Sequence, residues 1–176
     1  MLAVGTVVWL ASEFMFFGAL FAAYYTLRSE TEVWPPAGVD LDLVGPILAT
    51  VVMVAAAGTI TMVSRTFARG ERAACQRWLV VTLGLGALFV ASQVREFFVT
   101  NFSVDTDAYG SIYFIMLAVH GLHAIAGVAL IVIGLAFVTG DRPLARRGPA
   151  IDSIVYYWYF LVIVWILQFL TIYVIQ

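Results

Sequence analysis

The stretch SIYFIMLAVHGLHAIAGVALIVIGLAFV, residues 111–138, contains no Asp, Glu, Lys or Arg. An α-helix rises about 1.5 Å per residue, so about 20 apolar residues cross a hydrocarbon core roughly 30 Å thick. This stretch is long enough to do so. It therefore predicts a transmembrane helix.

Four further apolar runs of similar length occur along the chain, separated by segments rich in Gly, Pro and charged residues. Of the 176 residues, 63% are hydrophobic and 11% are charged, and the mean hydropathy is +1.00. Soluble domains have about 45–50% apolar and 25% charged residues, so a soluble fold is excluded. The sequence predicts an all-α, polytopic membrane protein, a bundle of five transmembrane helices forming a single membrane domain over residues 1–176. The expected spans are 5–27, 43–63, 78–98, 111–138 and 151–175.

Positively and negatively charged residues fall mainly in different loops. All nine basic residues are Arg, and seven of them fall in the second and fourth loops: Arg65, Arg69, Arg72, Arg77, Arg142, Arg146 and Arg147. The first and third loops hold the acidic residues Glu30, Glu32, Asp40, Asp42, Asp105 and Asp107. Because positive charge marks cytoplasmic loops, we expect a cytoplasmic N-terminus and an external C-terminus.

Glu13 lies inside the first apolar run, in Trp9-Leu-Ala-Ser-Glu-Phe-Met-Phe-Phe17. A carboxylate in hydrocarbon is costly unless it is protonated or paired, so it is a candidate functional group. The functional interpretation is a carboxylate that handles protons or binds a partner. The structural interpretation, equally favoured, is a protonated Glu whose hydrogen bond to another helix only assists packing.

His120 and His123 are the only histidines, and their spacing of three places them on one face of the fourth helix. A haem needs axial ligands on opposite faces, and no other helix supplies a histidine, so a haem or dinuclear metal site in this chain is not expected. Hydrogen bonding in a helix interface is the favoured role. A rise of about 1.5 Å per residue puts Glu13 and His123 at matching depths, so we predict that they are hydrogen-bond partners.

The remaining polar and aromatic features favour ordinary membrane roles. Gly127 and Gly134 continue the histidine face of the fourth helix, where small residues allow close packing of helices or lipid chains. Glu96 falls near the end of the third span, at interfacial depth. The run 156–159, Tyr-Tyr-Trp-Tyr, is typical of an aromatic belt at the membrane boundary.

The sequence has no phosphate-binding loop, no nucleophile elbow, no metalloprotease motif and no basic patch interleaved with aromatic residues. Its single cysteine, Cys75, can form neither a disulfide within the chain nor a thiolate metal site. We therefore expect no catalytic residue, no metal site and no nucleic-acid partner.

Taken in order and at their spacings, several motifs resemble subunit III of the haem-copper cytochrome oxidases, particularly the short five-helix actinobacterial type. They cover nearly the whole chain: residues 4–17, Trp34-Pro35-Pro36, Gln93-Val-Arg-Glu96-Phe, Tyr109-Gly-Ser111, His120-Gly-Leu-His123, and the run from Tyr157 to Trp165.

The resemblance implies an accessory subunit without a redox centre, encoded by a bacterium and placed in its plasma membrane. It would pack on catalytic subunit I, and on subunit II or other respiratory subunits, with haem and copper held by those partners. Bound phospholipid, support of proton uptake and protection from turnover inactivation are also implied. Glu13, His120, His123 and Glu96 fall on polar positions of the family, and packing against lipid or another subunit is expected at five residues: Trp34, Gly127, Gly134, Trp158 and Trp165.

The last helix departs from the family pattern Tyr-Trp-His-Phe-Val-Asp, because Tyr159 stands at the His position and Val162 at the Asp position. Association with nitric oxide reductase or a quinol oxidase therefore stays open as an alternative to cytochrome c oxidase. A stand-alone transporter is less favoured, since the spans lack the broken, repeated helices typical of transporters. A haem-bearing quinone anchor is less favoured too, because it needs a histidine on a second helix.

Overall fold

The computed structural model describes residues 2–140 and 147–175, and this part of the chain is helical throughout its regular segments. The helices are α1 (Leu2–Ser29), α2 (Val44–Ala68), α3 (Arg72–Val99), α4 (Ala108–Thr139) and α5 (Gly148–Phe169), and a π-helical turn (Leu170–Ile175) continues α5. Within residues 2–140 and 147–175, five helices are long and apolar enough to cross a membrane. The all-α, five-helix fold predicted from the sequence is therefore confirmed.

Most helix ends lie a few residues beyond the predicted spans, whereas α2 begins one residue later than predicted, at Val44. Local signals set these ends. The backbone N–H of Val44 donates to Asp42 Oδ1 (3.0 Å) at the start of α2. Asp107 Oδ1 accepts from the N–H of Gly110 (2.7 Å) at the start of α4, and both contacts satisfy donors that a helix N-terminus leaves unpaired. Gly70, at φ +73°, makes the tight turn between α2 and α3. Arg142 and Arg146 of the predicted fourth loop lie outside the described residues.

Helix α5 is the centre of the bundle, with contacts to α1, α2 and α4. In an apolar 18-residue stretch of Gly148–Ile175, which comprises α5 and the π-helical turn, 56% of the residues are buried. In the corresponding stretch of α1 the share is 11%, and α1 touches mainly α5 and α4. Helices α2 and α3 pack along one another, as do α3 and α4. Helix α1 is therefore the peripheral member, and most of its surface is left for lipid or a neighbour.

Two glycines make room for a tryptophan at the middle of the bundle. A Cβ on Gly86 of α3 would lie 2.6 Å from Trp158 Cη2, and one on Gly127 of α4 would lie 3.0 Å from Trp158 Cζ3. Both distances are below van der Waals contact, so only glycine lets the indole of α5 lie against both helices. Gly134 lies against Ile154 of α5 in the same way.

The aromatic belt expected over residues 156–159 is wrong for two of its four members. Tyr157 and Trp158 are each only 1% exposed and belong to the hydrophobic core, whereas Tyr156 is 45% exposed. Successive residues of an α-helix point about 100° apart, so four consecutive side chains cannot share one lipid-facing side. Periodicity therefore separates this run into core and surface positions.

A second cluster of aromatic side chains lies where α1, α4 and the π-helical turn meet. Trp34 Nε1 donates to the hydroxyl of Tyr24 (2.9 Å), and the hydroxyls of Tyr113 and Tyr173 are 3.0 Å apart. These contacts give buried phenol and indole groups polar partners. They attach the loop that follows α1 to the end of the bundle.

Candidate functional site

The carboxyl of Glu13 and the imidazole of His123 meet between α1 and α4, as predicted from their depths. His123 Nε2 lies 3.1 Å from Glu13 Oε2, and Trp9 Nε1 donates to Glu13 Oε1 (2.9 Å). The side chains of Glu13 and His123 are 22% and 21% exposed. Each carboxyl oxygen thus has a partner, and the predicted hydrogen bond between the two helices is confirmed.

The other ring nitrogen of His123 determines how many protons this pair holds. His123 Nδ1 lies 2.8 Å from the carbonyl oxygen of Val119, and a carbonyl can only accept, so Nδ1 carries a hydrogen. With a hydrogen on Nδ1, the hydrogen bond between Nε2 and Glu13 has its donor either in a carboxylic acid, with Nε2 accepting, or in an imidazolium that donates to a carboxylate. In both arrangements the pair as a whole has no net charge, which is the form that hydrocarbon tolerates.

Aromatic side chains surround the pair. The rings of Phe17 and His123 are 5.1 Å apart between centroids, and the indole of Trp9 stacks on Tyr157 at 5.2 Å. The hydroxyl of Tyr157 donates to the carbonyl of His123 (3.0 Å). Because these groups come from α1, α4 and α5, the pair lies at the junction of three helices.

His120 is on the same helix face as His123 but has a separate environment. It is fully buried, its Nε2 lies 3.2 Å from the carbonyl of Leu161, and its ring lies between Phe89 (5.5 Å) and Trp165 (5.4 Å). A carbonyl partner means that Nε2 donates. His120 therefore joins α4 to α5, in line with the favoured role of a hydrogen bond in a helix interface.

Glu96 is not part of this group, because it lies in the last turns of α3, near the acidic loops. It is buried, with Arg95 Nη1 3.9 Å from its Oε2, and Asp42 and Tyr113 are neighbours. The four polar positions implied by the resemblance thus fall into two places: Glu13, His123 and His120 where α1, α4 and α5 meet, and Glu96 at the end of α3.

The residues expected to pack against lipid or another subunit lie mostly inside this chain. Trp158 and Trp165 are buried, and Trp165 Nε1 donates to Thr50 Oγ1 of α2 (3.0 Å). Gly127 and Gly134 are covered by side chains of α5, while Trp34 is half-buried against Tyr24 and Tyr109. The difference arises because α5 occupies the bundle centre, so its large residues contact the surrounding helices.

Tyr159 keeps a polar contact where the family pattern has His. Its hydroxyl lies 2.8 Å from Thr61 Oγ1, and the Thr61 hydroxyl is 2.7 Å from the carbonyl of Ala57. Since Thr61 donates to that carbonyl, Tyr159 donates to Thr61. Val162, at the Asp position, is buried and apolar, so of these two positions only that of Tyr159 has a polar side-chain contact.

Among the described residues, no three His, Cys, Asp or Glu side chains come together as metal ligands would. A comparison with known families matches residues 1–176 to the family described as cytochrome c oxidase subunit III. The chain belongs to this family. The resemblance inferred from the motifs is therefore confirmed, and the chain is that of a subunit of an oxidoreductase complex.

Relatives in the subunit III family include actinobacterial proteins. The chain is 37% identical over 180 residues to a probable cytochrome c oxidase subunit 3 of Nocardia farcinica, covering 100% of this chain and 89% of the relative. A probable cytochrome c oxidase subunit 3 of Mycobacterium tuberculosis is 34% identical, again covering 100% of this chain and 89% of the relative. The cytochrome c oxidase subunit 3 of Thermostichus vulcanus is 29% identical, covering 97% of this chain and 85% of the relative.

Three partners of the Glu13–His123 pair in this subunit III chain were not predicted. Trp9 lies four residues before Glu13 and Val119 four residues before His123, a spacing that brings groups together on one helix face, so both had a signal in the sequence. Tyr157 had none, because its contact joins two helices. Local spacing reveals partners on the same helix but not those on another.

Proposed function

We propose that this chain is a non-redox accessory subunit III of a proton-translocating cytochrome c oxidase in a bacterial plasma membrane. It packs on the catalytic subunit I, and on subunit II or other respiratory subunits, which hold the haem and copper. Its N-terminus is cytoplasmic and its C-terminus external. The observation that carries the proposal is the family match over residues 1–176. The peripheral α1 supports it, because a helix with so little contact to its own bundle has surface left for a neighbour.

The Glu13–His123 pair supports proton uptake indirectly in this proposal. Its hydrogen bond joins α1 to α4, and α1 has few other contacts with the bundle. The pair therefore holds the peripheral α1 in place beside subunit I. Protection from inactivation during turnover would follow from a stable contact between the two subunits.

Lipid binding is supported by an apolar groove between α1 and α5. It has a volume of about 350 Å³, and its walls include Val7, Leu10 and Phe14 of α1 and Phe160 and Ile163 of α5. Such a surface suits an acyl chain, which needs apolar contact and no hydrogen bonds. A lipid there would cover part of α1 that the bundle leaves exposed.

Purification of the tagged chain in mild detergent tests the proposal. We expect a haem-copper subunit I to co-purify, with haem and copper in stoichiometric amount to that subunit and absent from this chain after separation. An unrelated tagged membrane protein from the same cells is the control. Recovery of nitric oxide reductase or a quinol oxidase would support the alternative partner, and a monomer that moves solute in liposomes would refute an accessory role.

A further inference from the structure

A second groove lies between α2 and α3, at the end of the bundle that carries the acidic loops. It has a volume of about 420 Å³. The residues of α2 that line it include Leu48 and Val52, which are about one helical turn apart. The residues of α3 that line it include Leu88 and Arg95. Residues 44 to 52 of α2 rise about 12 Å, so the groove runs from the helix ends into the hydrocarbon depth. One end is polar and the rest is apolar.

Charged groups of both signs converge at the polar end because Gly45 has no side chain. A Cβ on Gly45 would lie 3.1 Å from Glu96 Oε2, 3.2 Å from Arg95 Nη1 and 3.9 Å from Asp42 Oδ2. Asp42 is held there by the N–H of Val44. The guanidinium and the two carboxyl groups thus form the mouth of the groove.

Beyond the mouth lies a second cavity, of about 470 Å³, which shares Asp42 with the groove. Its other lining residues include Asp40, Glu96, Thr100 and Asn101. The two cavities together therefore contain three carboxyl groups and one guanidinium. An anionic molecule would meet a surplus of negative groups there, whereas a molecule carrying one cation and one anion finds a partner for each.

We propose that these two cavities bind a zwitterionic aminophospholipid. One acyl chain lies in the α2–α3 groove against Leu48, Val52 and Leu88, the phosphate faces the Arg95 guanidinium, and the ammonium group lies in the acidic cavity beside Asp42. The order of surfaces along the groove, apolar then cationic then anionic, matches the order of groups along such a lipid. This site is separate from the α1–α5 groove, and it deepens the lipid-binding part of the proposed function, on which it rests.

Native mass spectrometry of the purified complex tests the site. The complex is stripped of loosely held lipid and incubated with an equimolar mixture of phosphatidylethanolamine and phosphatidylglycerol. Wild-type complex should retain phosphatidylethanolamine in preference. The Leu48→Trp variant fills the apolar groove and should retain about one phosphatidylethanolamine fewer per chain.

A matched control is available on another face of the bundle. Leu167 of α5 is 44% exposed and lines neither these cavities nor the α1–α5 groove, so Leu167→Trp adds the same bulk to a lipid-facing position away from this groove. It should leave the retained lipid unchanged. Asp42→Asn keeps an oxygen for the N–H of Val44 and removes one charge, so the preference over phosphatidylglycerol should fall about two- to fivefold, as for an exposed ion pair.

A lipid count that Leu48→Trp does not lower would overturn the proposal, as would a preference for phosphatidylglycerol in the wild-type complex. A third outcome would also overturn it: Asp42→Asn leaves the preference for phosphatidylethanolamine unchanged, and added divalent cation abolishes that preference in the wild type. The acidic cavity would then hold the metal and not the ammonium group. Co-purification of subunit I is measured in every sample. If subunit I does not co-purify with the wild-type chain, the accessory-subunit proposal fails. If subunit I co-purifies and the variants retain the same lipid as the wild type, only the proposal of this lipid site fails.

Discussion

At the residue scale, the central feature is a carboxyl and an imidazole that share one proton. The sequence supplies the residue types, but the number of protons follows from the Val119 carbonyl beside His123 Nδ1. That contact makes Nδ1 a donor, so the hydrogen bond to Glu13 falls to Nε2.

Glu13→Gln should preserve the hydrogen bonds while removing the titratable group. The Gln oxygen can accept from Trp9 Nε1, and its amide can donate to His123 Nε2, so the free energy of unfolding should change by less than about 1 kcal/mol. Labelling of the chain by a hydrophobic carbodiimide, which modifies buried carboxyls, should fall sharply. The measurement is mass spectrometry of the labelled chain.

Glu96→Gln is the control for this labelling, since it removes the buried carboxyl of α3 and should leave the Glu13 signal in place. Glu13→Leu provides the contrast, because it leaves both Trp9 Nε1 and His123 Nε2 without a partner and should destabilise the chain by about 1–3 kcal/mol. Undiminished labelling in Glu13→Gln would show that another acid reacts.

At the element scale, close approach of α3, α4 and α5 depends on glycine under the indole of Trp158. The hydrophobic pattern predicted each of these helices, yet it could not indicate which glycines lie at an interface. Gly86 and Gly84 are two residues apart on α3, and only Gly86 faces a neighbour: a Cβ on Gly84 would have nothing within 4 Å. These two glycines therefore form a matched pair.

Gly86→Ala should destabilise the bundle by about 1–3 kcal/mol, because its methyl group would lie 2.6 Å from Cη2 of the buried Trp158 and overpack the core. Gly84→Ala should be neutral or stabilising by up to about 1 kcal/mol, since alanine favours a helix over glycine. Thermal unfolding of the purified variants in one detergent measures both. Equal melting temperatures for Gly86→Ala and the wild type would mean that Trp158 has room to shift.

At the scale of the whole molecule, the segregation of Arg predicts which ends of the helices face the cytoplasm. Cys75 is the single cysteine of the chain and is buried, so a Cys75→Ala background is suited to cysteine labelling. Glu32 and Arg69 are both exposed and lie in loops at opposite ends of the bundle.

In intact cells, a membrane-impermeant maleimide should label Glu32→Cys and not Arg69→Cys. Permeabilised cells should label both. The physical reason is the retention of positively charged loops on the cytoplasmic side. Labelling of Arg69→Cys alone before permeabilisation would place the N-terminus outside and reverse the proposed orientation.

The sequence by itself determined that the chain is a five-helix membrane protein of the subunit III family, and it determined that Glu13 and His123 meet. An apolar run of about 20 residues has the length of an α-helix that crosses a bilayer, and depth along a helix follows from a constant rise per residue. Only the tertiary structure decided that α5 is central, that Tyr157 and Trp158 are core residues and that Glu96 lies apart from the histidines. These features depend on which helix faces are in contact, and in hydrocarbon both lipid-facing and buried faces are apolar, so the residue pattern alone does not distinguish them.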